Sequence, residues 1–336
     1  MFSERLEKIV GGHDLSTAEM AEVMDQVMEG QLTPAQIGAL ITALRMKKES
    51  VAEISAAALS MRRHATVVEP GAPPIVDTCG TGGDGSGTFN ISTTAAFIAA
   101  GAGVKIAKHG NKSVSSKCGS ADVLAELGVN IEVNPEKVGE SIQSVGIGFL
   151  FAPLLHGAMK HAIGPRRELG IRTIFNMLGP LTNPARATAQ VLGVFDAGLT
   201  EIFAAVLKQM GSDRAMVVHG ADHLDEITVT GTTQISELVN GEIKTREFDP
   251  LPFIGGYAQP QDLAGGEPTV NAAITRSILA GEDGPKTEAA VLNAAAAITV
   301  AAAAADFADA VDKARESLTS GSAARKLEDL IAFSND

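Results

Sequence analysis

The run Glu69-Pro-Gly-Ala-Pro-Pro74 constrains the fold more than any other stretch, because neither a helix nor a central strand can pass through it. Its prolines lack amide donors and fix φ, so the chain must begin a new element beyond them. Before the break, residues 1 to about 66 read as all-helical. Three capping boxes follow one another: Ser16-Thr-Ala-Glu19, Thr33-Pro-Ala-Gln36 with proline at the first helical position, and Ser50-Val-Ala-Glu53. Each offers a hydroxyl to an orphan amide and a reciprocal side chain three positions on. Val23/Val27, Ile37/Leu40/Ile41/Leu44 and Ile54/Ala58/Met61 recur at helical spacing, giving each helix one apolar stripe. Helices this short need a partner to bury that stripe.

After the break the texture becomes strand, loop, helix. Ile75-Val76 reads as a strand entering a glycine loop, Ser92 to Ala100 as a helix, and Val104 to Ala107 as a strand entering a second loop. Ser120 to Leu127 reads as a helix closed by Gly128, and Val129 to Val133 as a further strand. This order implies right-handed crossovers and a mainly parallel sheet with helices on its faces. Residues 153 to 184 return to broken helix. Then come strand Gln190 to Phe195, helix Thr200 to Met210 and strand Ala215 to His219. Ile227 to Thr230, with strands Ile235 to Val239 and Glu242 to Phe248 joined at Asn240-Gly241, predict an antiparallel extension closed by a type I′ turn. The final third is helical. The expected fold is α/β: a helical domain, residues 1–66 joined by part of 165–190, packed on a larger α/β domain, residues 72–336.

The chemistry concentrates between Asp77 and Ser120. The chain carries a formal charge of −13, yet no acid occurs between Gly85 and Ala121, where Lys105, Lys108, Lys112 and Lys117 fall. An acidic protein that reserves one region for glycines, hydroxyls and lysines has the makings of an anion site; a pair of surface turns has the same composition. The acidic balance argues against a nucleic-acid-binding surface, which needs a broad cationic face. Only two cysteines occur, Cys79 and Cys118. A disulfide framework is therefore not expected, a reducing cytoplasm fits, and the pair reads as small apolar fillers. The N-terminus, Met1-Phe-Ser-Glu-Arg-Leu-Glu-Lys, shows no secretory apolar region. The uncharged stretch 289–305 is alanine-rich and short, so it reads as a buried helix and no membrane association is expected.

Gly80-Thr-Gly-Gly-Asp-Gly85 satisfies GxGxxG after a strand. A dinucleotide site also needs the helix to begin within the loop and an acid about 20 residues on. Here the helix waits until about Asn90 and the next strand carries Lys108. A Walker loop is excluded because no Gly-Lys-Ser/Thr follows. What remains is a phosphate cradle in which glycine amides approach the ligand and Asn90, Ser92, Thr93 and Thr94 stand at a helix N-terminus. Lys108, Asn111 and Ser113 to Ser116 would form the opposite wall. Downstream, Asp225-Glu226 is an adjacent acidic pair at a strand-to-loop transition, of a kind that holds magnesium or is merely solvated. Arg166 is either a plain surface cation or a ligand, its fork suiting a carboxylate.

Taken in order, Gly80-Thr-Gly-Gly-Asp84, Asn90-Ile-Ser-Thr93, Lys108-His-Gly-Asn111, Arg166 in Gly-Pro-Arg-Arg-Glu-Leu-Gly, Phe175-Asn-Met-Leu-Gly-Pro-Leu-Thr-Asn-Pro184 and Leu224-Asp-Glu226 make the chain similar to the anthranilate phosphoribosyltransferases along its whole length. That resemblance implies transfer of phosphoribose from phosphoribosyl pyrophosphate (PRPP) to the amine of anthranilate, with Mg2+, in tryptophan biosynthesis. It also implies a homodimer formed through the helical domain. By motif, Gly80, Gly83, Asp84, Thr88, Asn90, Ile91, Ser92, Thr93, Lys108, His109, Gly110, Asn111, Lys112, Ser113, Val114, Ser115, Ser116 and Ser120 would contact PRPP. Gly80, Asn111 and Arg166 would meet anthranilate, and Ser92, Asp225 and Glu226 would hold the metal. Lys112 departs from the arginine often found there, and Ile163-Gly-Pro165 departs from the usual Ala-Pro-Val, leaving the backbone at Arg166 in question. No acid or base is assigned, and His109 and His156 are expected to position or pack. The rival readings are a pyrimidine nucleoside phosphorylase, whose first loop resembles Lys-His-Ser-Thr-Gly-Gly-Val-Gly-Asp, and a nucleotide-sensing protein without turnover.

Overall fold

The computed structural model describes residues 2–113 and 117–336. Val114, Ser115 and Ser116, expected in the donor wall, lie outside the described residues. Four helices open the chain: α1 (Phe2–Val10), α2 (Thr17–Met28), α3 (Pro34–Lys47) and α4 (Val51–Arg63). All three capping boxes form, with Ser16, Thr33 and Ser50 each accepting from the amide three residues on. The last box doubles as a hub. The fully buried Glu53 accepts from the amides of Leu15 and Ser50 and from Lys47 Nζ at 2.8–2.9 Å, so its charge is paired where burial alone would be costly.

Seven strands form one sheet: β1 (Ile75–Gly80), β2 (Lys105–Gly110), β3 (Ile147–Phe151), β4 (Ala189–Gly193), β5 (Arg214–Gly220), β6 (Thr233–Val239) and β7 (Glu242–Phe248). Their order is β3-β2-β1-β4-β5-β6-β7, parallel through β5 and antiparallel thereafter. Alternation in the strands serves two cores. Val76, Ile106, Val191, Met216 and Val218 face one core, while Leu192, Ala215 and Val217 face the helical bundle. The β6–β7 turn has Asn240 at φ 52° and Gly241 at φ 77°, the left-handed pair a type I′ hairpin requires.

Helices α5 (Ile91–Gly101), α6 (Ser120–Glu126) and α7 (Pro135–Ser144) cross between the first three strands, and α8 (Ala152–Leu155), α9 (Lys160–Leu169) and α10 (Ile174–Leu178) lead back to β4. Helix α11 (Leu199–Gln209) joins β4 to β5, and α12 (Leu251–Ile254) through α16 (Ser322–Asn335) close the chain. The alanine-rich stretch becomes α14 (Pro285–Val300), buried against α5 with alanines on both helices, where small side chains let the backbones approach. No helix among the described residues is long and apolar enough to cross a membrane. Helices α9 and α10 pack on α2, α3 and α4, so the 160–178 segment joins the bundle's core.

Two strand expectations fail. Val129 to Val133 alternates like a strand but has no strand beside it among the described residues: the Asn130 amide bonds Ser334 Oγ at 3.0 Å, and Asn130 Oδ1 accepts from Glu132 at 3.1 Å. Val129 and Ile131 are anchors in the core, and the third parallel strand comes later, at β3. Ile227 to Thr230 is likewise irregular, because its threonine hydroxyls turn to Asp222 and the antiparallel extension begins only at Thr233.

Candidate active site

The strand order reverses between β1 and β4: after β1 the chain moves outward to β2 and β3, then returns to the other side. Such a switch point opens a crevice at the carboxyl ends of the strands. Those ends are Gly80 and Gly193, paired across the sheet. A Cβ on Gly80 would stand 2.5 Å from Asp225 Oδ2, and one on Gly193 would stand 1.6 Å from the Asp225 carbonyl. Two glycines are therefore what lets the Asp225 loop lie on the strand ends.

That loop is anchored on both sides. Leu224 and Ile227 are buried, and Asn293 of α14 bonds both the amide and the carbonyl of Ile227, at 3.0 and 2.9 Å. Asp222 Oδ2 accepts from the Thr228 and Thr230 hydroxyls at 2.7 and 2.6 Å. The two acids between these anchors then meet the first glycine loop. Asp225 Oδ2 accepts from the Gly82 amide at 2.9 Å, and Glu226 Oε1 from the Ser92 amide at 3.2 Å. Both residues keep some exposed surface, but their carboxyl groups are withdrawn from water. Burial, with Asp84 beside it, raises the Asp225 pKa to about 6; burial, with Asp225 beside it, raises that of Glu226 to about 8. Crowded carboxylates of this kind are oxygen donors suited to a divalent cation, which would relieve their repulsion.

The N-terminus of α5 closes the first loop, but the Asn90 side chain does not cap it. Asn90 Oδ1 accepts from Asn271 at 2.9 Å and from the Cys118 thiol at 3.3 Å, and its amide donates to the Cys118 carbonyl at 3.3 Å, tying the two loops together. Ile91 and Thr93 are buried, so their backbones rather than their side chains are available. Lys108 is not an open wall. It is buried and reaches under α5, donating to the Thr78 carbonyl and to Ser92 Oγ at 3.3 Å. Burial lowers its pKa, and the charge of the buried Asp77 opposes that shift.

In the second loop, Asn111 Oδ1 accepts from the Lys112 amide at 2.7 Å, and Lys112 Nζ lies 5.9 Å from the centre of the Phe151 ring. Asp122 Oδ2 accepts from Ser113 and Gly119 at 2.9 and 2.8 Å, pinning both ends of the loop. Gly110 fits because a Cβ there would be 2.1 Å from Ser120 Oγ. Thr88 bridges to Ala264. The His109 ring turns away from the loops into a buried contact, its Nε2 at 3.1 Å from His156 Nε2. Burial lowers the two pKa values to about 3 and about 4, so both rings are neutral at pH 7.

Arg166 lies on α9, which continues through Pro165, so the unusual Ile163-Gly-Pro165 still presents it on a helix. Its guanidinium carbon is 5.2 Å from the centre of the Phe175 ring, and burial lowers its pKa. Beyond the left-handed Gly170, Arg172 donates to the carbonyls of Gly82 and Gly83 at 2.9 and 2.8 Å. Sequence reasoning missed Arg172, Asp122 and Asn293. Their partners are distant or lie in loops, and nothing in their local pattern signals a role.

Residues 72–324 match the family model described as "Glycosyl transferase family, a/b domain", and residues 3–65 match its helical bundle domain. The anthranilate phosphoribosyltransferase of Desulfosudis oleivorans is 55% identical over 334 residues, covering 99% of this chain and 98% of that protein. The chain belongs to the anthranilate phosphoribosyltransferase family. Among solved members of that family, the Thermus thermophilus enzyme superposes with a TM-score of 0.93 at 42% identity, covering 98% of this chain and 99% of its own. The Saccharomyces cerevisiae anthranilate phosphoribosyltransferase, in complex with PRPP and Mg, superposes with a TM-score of 0.91 at 30% identity, covering 99% and 98%. The seven-stranded sheet with its helical bundle is thus the fold of this family.

Proposed function

We propose that the crevice at Gly80 and Gly193 binds PRPP and anthranilate, and that the protein transfers the phosphoribosyl group to the anthranilate amine with release of pyrophosphate. The observation that carries this reading is the meeting of Asp225 and Glu226 with the glycine loop and the α5 N-terminus, at the Gly82 and Ser92 amides. An acidic pair beside exposed glycine amides suits a diphosphate carried with its metal. The yeast relative's complex with PRPP and Mg supports the same assignment.

In this reading Asp225, Glu226 and Ser92 hold Mg2+, which when bound supplies positive charge to the departing pyrophosphate. Gly80, Gly83, Asp84, Thr88, the 90–93 backbone and the second loop through Ser120 bind and orient PRPP. Lys108 positions Ser92 from beneath and adds its charge to the site. Arg166, with Gly80 and Asn111, receives the anthranilate carboxylate. Bond breaking leads bond making at the anomeric carbon, with oxocarbenium character. The aromatic amine is already neutral at pH 7, so the demanding tasks are alignment and stabilisation of the leaving group. No general base is needed, and the buried, mutually bonded His109 and His156 suit a packing role.

The domain division at residues 66–72, with part of 165–190 joining the helical domain, provides two bodies that close on the reactants. A homodimer through the helical bundle is supported by Val10 and Met46, apolar residues 72% and 81% exposed on α1 and α3. A cytoplasmic location fits a reaction that draws on PRPP. Loss of anthranilate fluorescence on adding PRPP and Mg2+, with each omitted in turn, tests the reaction. Phosphorolysis of thymidine or uridine without anthranilate consumption would overturn it. Light scattering of the purified protein tests the dimer, and a mass equal to one chain would remove it.

A further inference from the structure

Arg172 lies between α9 and α10 in neither helix nor strand, yet its side chain is held on three sides. Nη2 donates to the Gly82 and Gly83 carbonyls at 2.9 and 2.8 Å, and the guanidinium carbon is 3.9 Å from the centre of the Phe195 ring. Phe195 is held in turn, its amide donating to Thr81 Oγ1 at 3.2 Å. The fit to the loop is close: a Cβ on Gly83 would stand 1.9 Å from Arg172 Nη2. Nη1 is buried without an acceptor among the described residues, so the placement is unfavourable for stability alone.

The two bonded carbonyls dictate where the next two amides point. In a trans peptide, C=O and N–H are antiparallel. Drawing the Gly82 and Gly83 carbonyls toward Arg172 therefore turns the amides of Gly83 and Asp84 to the opposite side. Gly82 and Gly83 both have positive φ, 64° and 72°, a backbone that glycine adopts without the penalty a side chain would bring. Neither amide has an acceptor among the described residues. Behind them the Arg172 charge adds positive potential to a site that Asp84, Asp225 and Glu226 border. Both bonds come from Nη2, but lysine is a poor replacement, because its ammonium reaches less far and lacks the flat face that stacks on Phe195.

We propose that Arg172 is a positioning residue of the donor site, holding the Gly82–Gly83 peptides so that the Gly83 and Asp84 amides face the pyrophosphate group. Its own carbonyl accepts from Arg45 of α3, so the helical bundle is joined to the glycine loop through one residue. This inference rests on the reading of the crevice as a PRPP site.

The test compares wild type with Arg172→Lys and Arg172→Ala in two measurements: steady-state constants for each substrate, and calorimetric binding of inorganic pyrophosphate with Mg2+. Both variants are expected to raise the KM for PRPP about tenfold or more and to weaken pyrophosphate binding by a similar factor, while the KM for anthranilate stays within about twofold. A general structural defect would move both KM values or the melting temperature instead. If Arg172→Ala does not fold, Phe195→Leu, which removes the stack and leaves the donors, should raise the PRPP KM in the same direction by a smaller factor. Folded Arg172→Lys with unchanged PRPP KM and pyrophosphate affinity overturns the proposal, as does absence of pyrophosphate binding by wild type. If wild type binds pyrophosphate through Arg172 but consumes no anthranilate, the positioning role stands and the reading of the acceptor fails.

Discussion

Asp225 accepts a hydrogen bond from the Gly82 amide at 2.9 Å, across 143 positions of sequence. The contact joins the loop after β5 to the loop after β1, and it exists because Gly80 and Gly193 leave the strand ends bare.

Replacing Gly193 by alanine should therefore act on the acids rather than on the sheet. The added Cβ would lie 1.6 Å from the Asp225 carbonyl, and Leu224, Ile227 and Asn293 prevent the loop from retreating intact. The expected cost is about 1–3 kcal/mol of stability, as for overpacking elsewhere. Activity should fall further, by about 100-fold or more in kcat/KM, or about 2.7 kcal/mol. Urea melts and steady-state rates at saturating Mg2+ check both, and unchanged turnover would contradict the seating argument.

Glu226→Gln and Asp225→Asn should trade activity for stability. The raised pKa values mean that the folded state binds protons more tightly than the unfolded one. Their charges thus destabilise the fold at pH 8, and stability from this pair is gained as pH falls from about 8 toward 4.5. In chelator at pH 8, Glu226→Gln should be more stable than wild type by about 1–2 kcal/mol. The double variant should need far more Mg2+ and turn over far more slowly. Calorimetry with and without Mg2+ is the check, and a double variant that Mg2+ stabilises as much as wild type would remove these residues as ligands.

The buried His109–His156 pair gives the opposite acid behaviour. Folded pKa values of about 3 and about 4 lie below the ordinary histidine value of 6.5. Above pH 6.5 both states are neutral and nothing changes; below it the unfolded chain takes up protons that the folded pair refuses, and stability falls until about pH 4 for His156 and about pH 3 for His109. His156→Gln should flatten this limb, narrowing the stability gap to wild type by about 2 kcal/mol between pH 7 and pH 4. Subtracting the two profiles cancels the contribution of Asp225 and Glu226. Parallel profiles would show that His156 titrates normally.

Arg166→Ala should raise the KM for anthranilate about tenfold to 100-fold, the cost of a charge-assisted, forked contact, and leave the KM for PRPP nearly unchanged. Arg166→Lys should recover only part, because the ammonium loses both the fork and the stack on Phe175. A larger effect on PRPP than on anthranilate would move Arg166 to the donor side.

Much of the site was legible because its signals are local. The glycines, hydroxyls and lysines between Asp77 and Ser120 marked a candidate anion site within one strand–helix–strand unit, and the ordered motifs through Leu224-Asp-Glu226 carried the family. Side-chain direction was not legible. Lys108 and His109 are adjacent in β2, yet the first reaches under α5 and the second turns to His156, a difference made by what packs on each face of the sheet. Nor does a local pattern reveal Arg172 or Asp122, each of which acts on backbone groups of a loop.

Capping boxes, glycine turns and periodicity, all set by neighbours within a few residues, determined the helical start, the parallel core, the hairpin at Asn240-Gly241 and the place of the two glycine-rich loops. They misread Val129 to Val133, where alternation met no neighbouring strand. Only the tertiary structure decided that β4 returns beside β1, placing Asp225 and Glu226 against the Gly82 and Ser92 amides and Arg172 behind them. The physical reason is that strand order is a long-range choice, made by burying both faces of the sheet at once, and no local propensity encodes it.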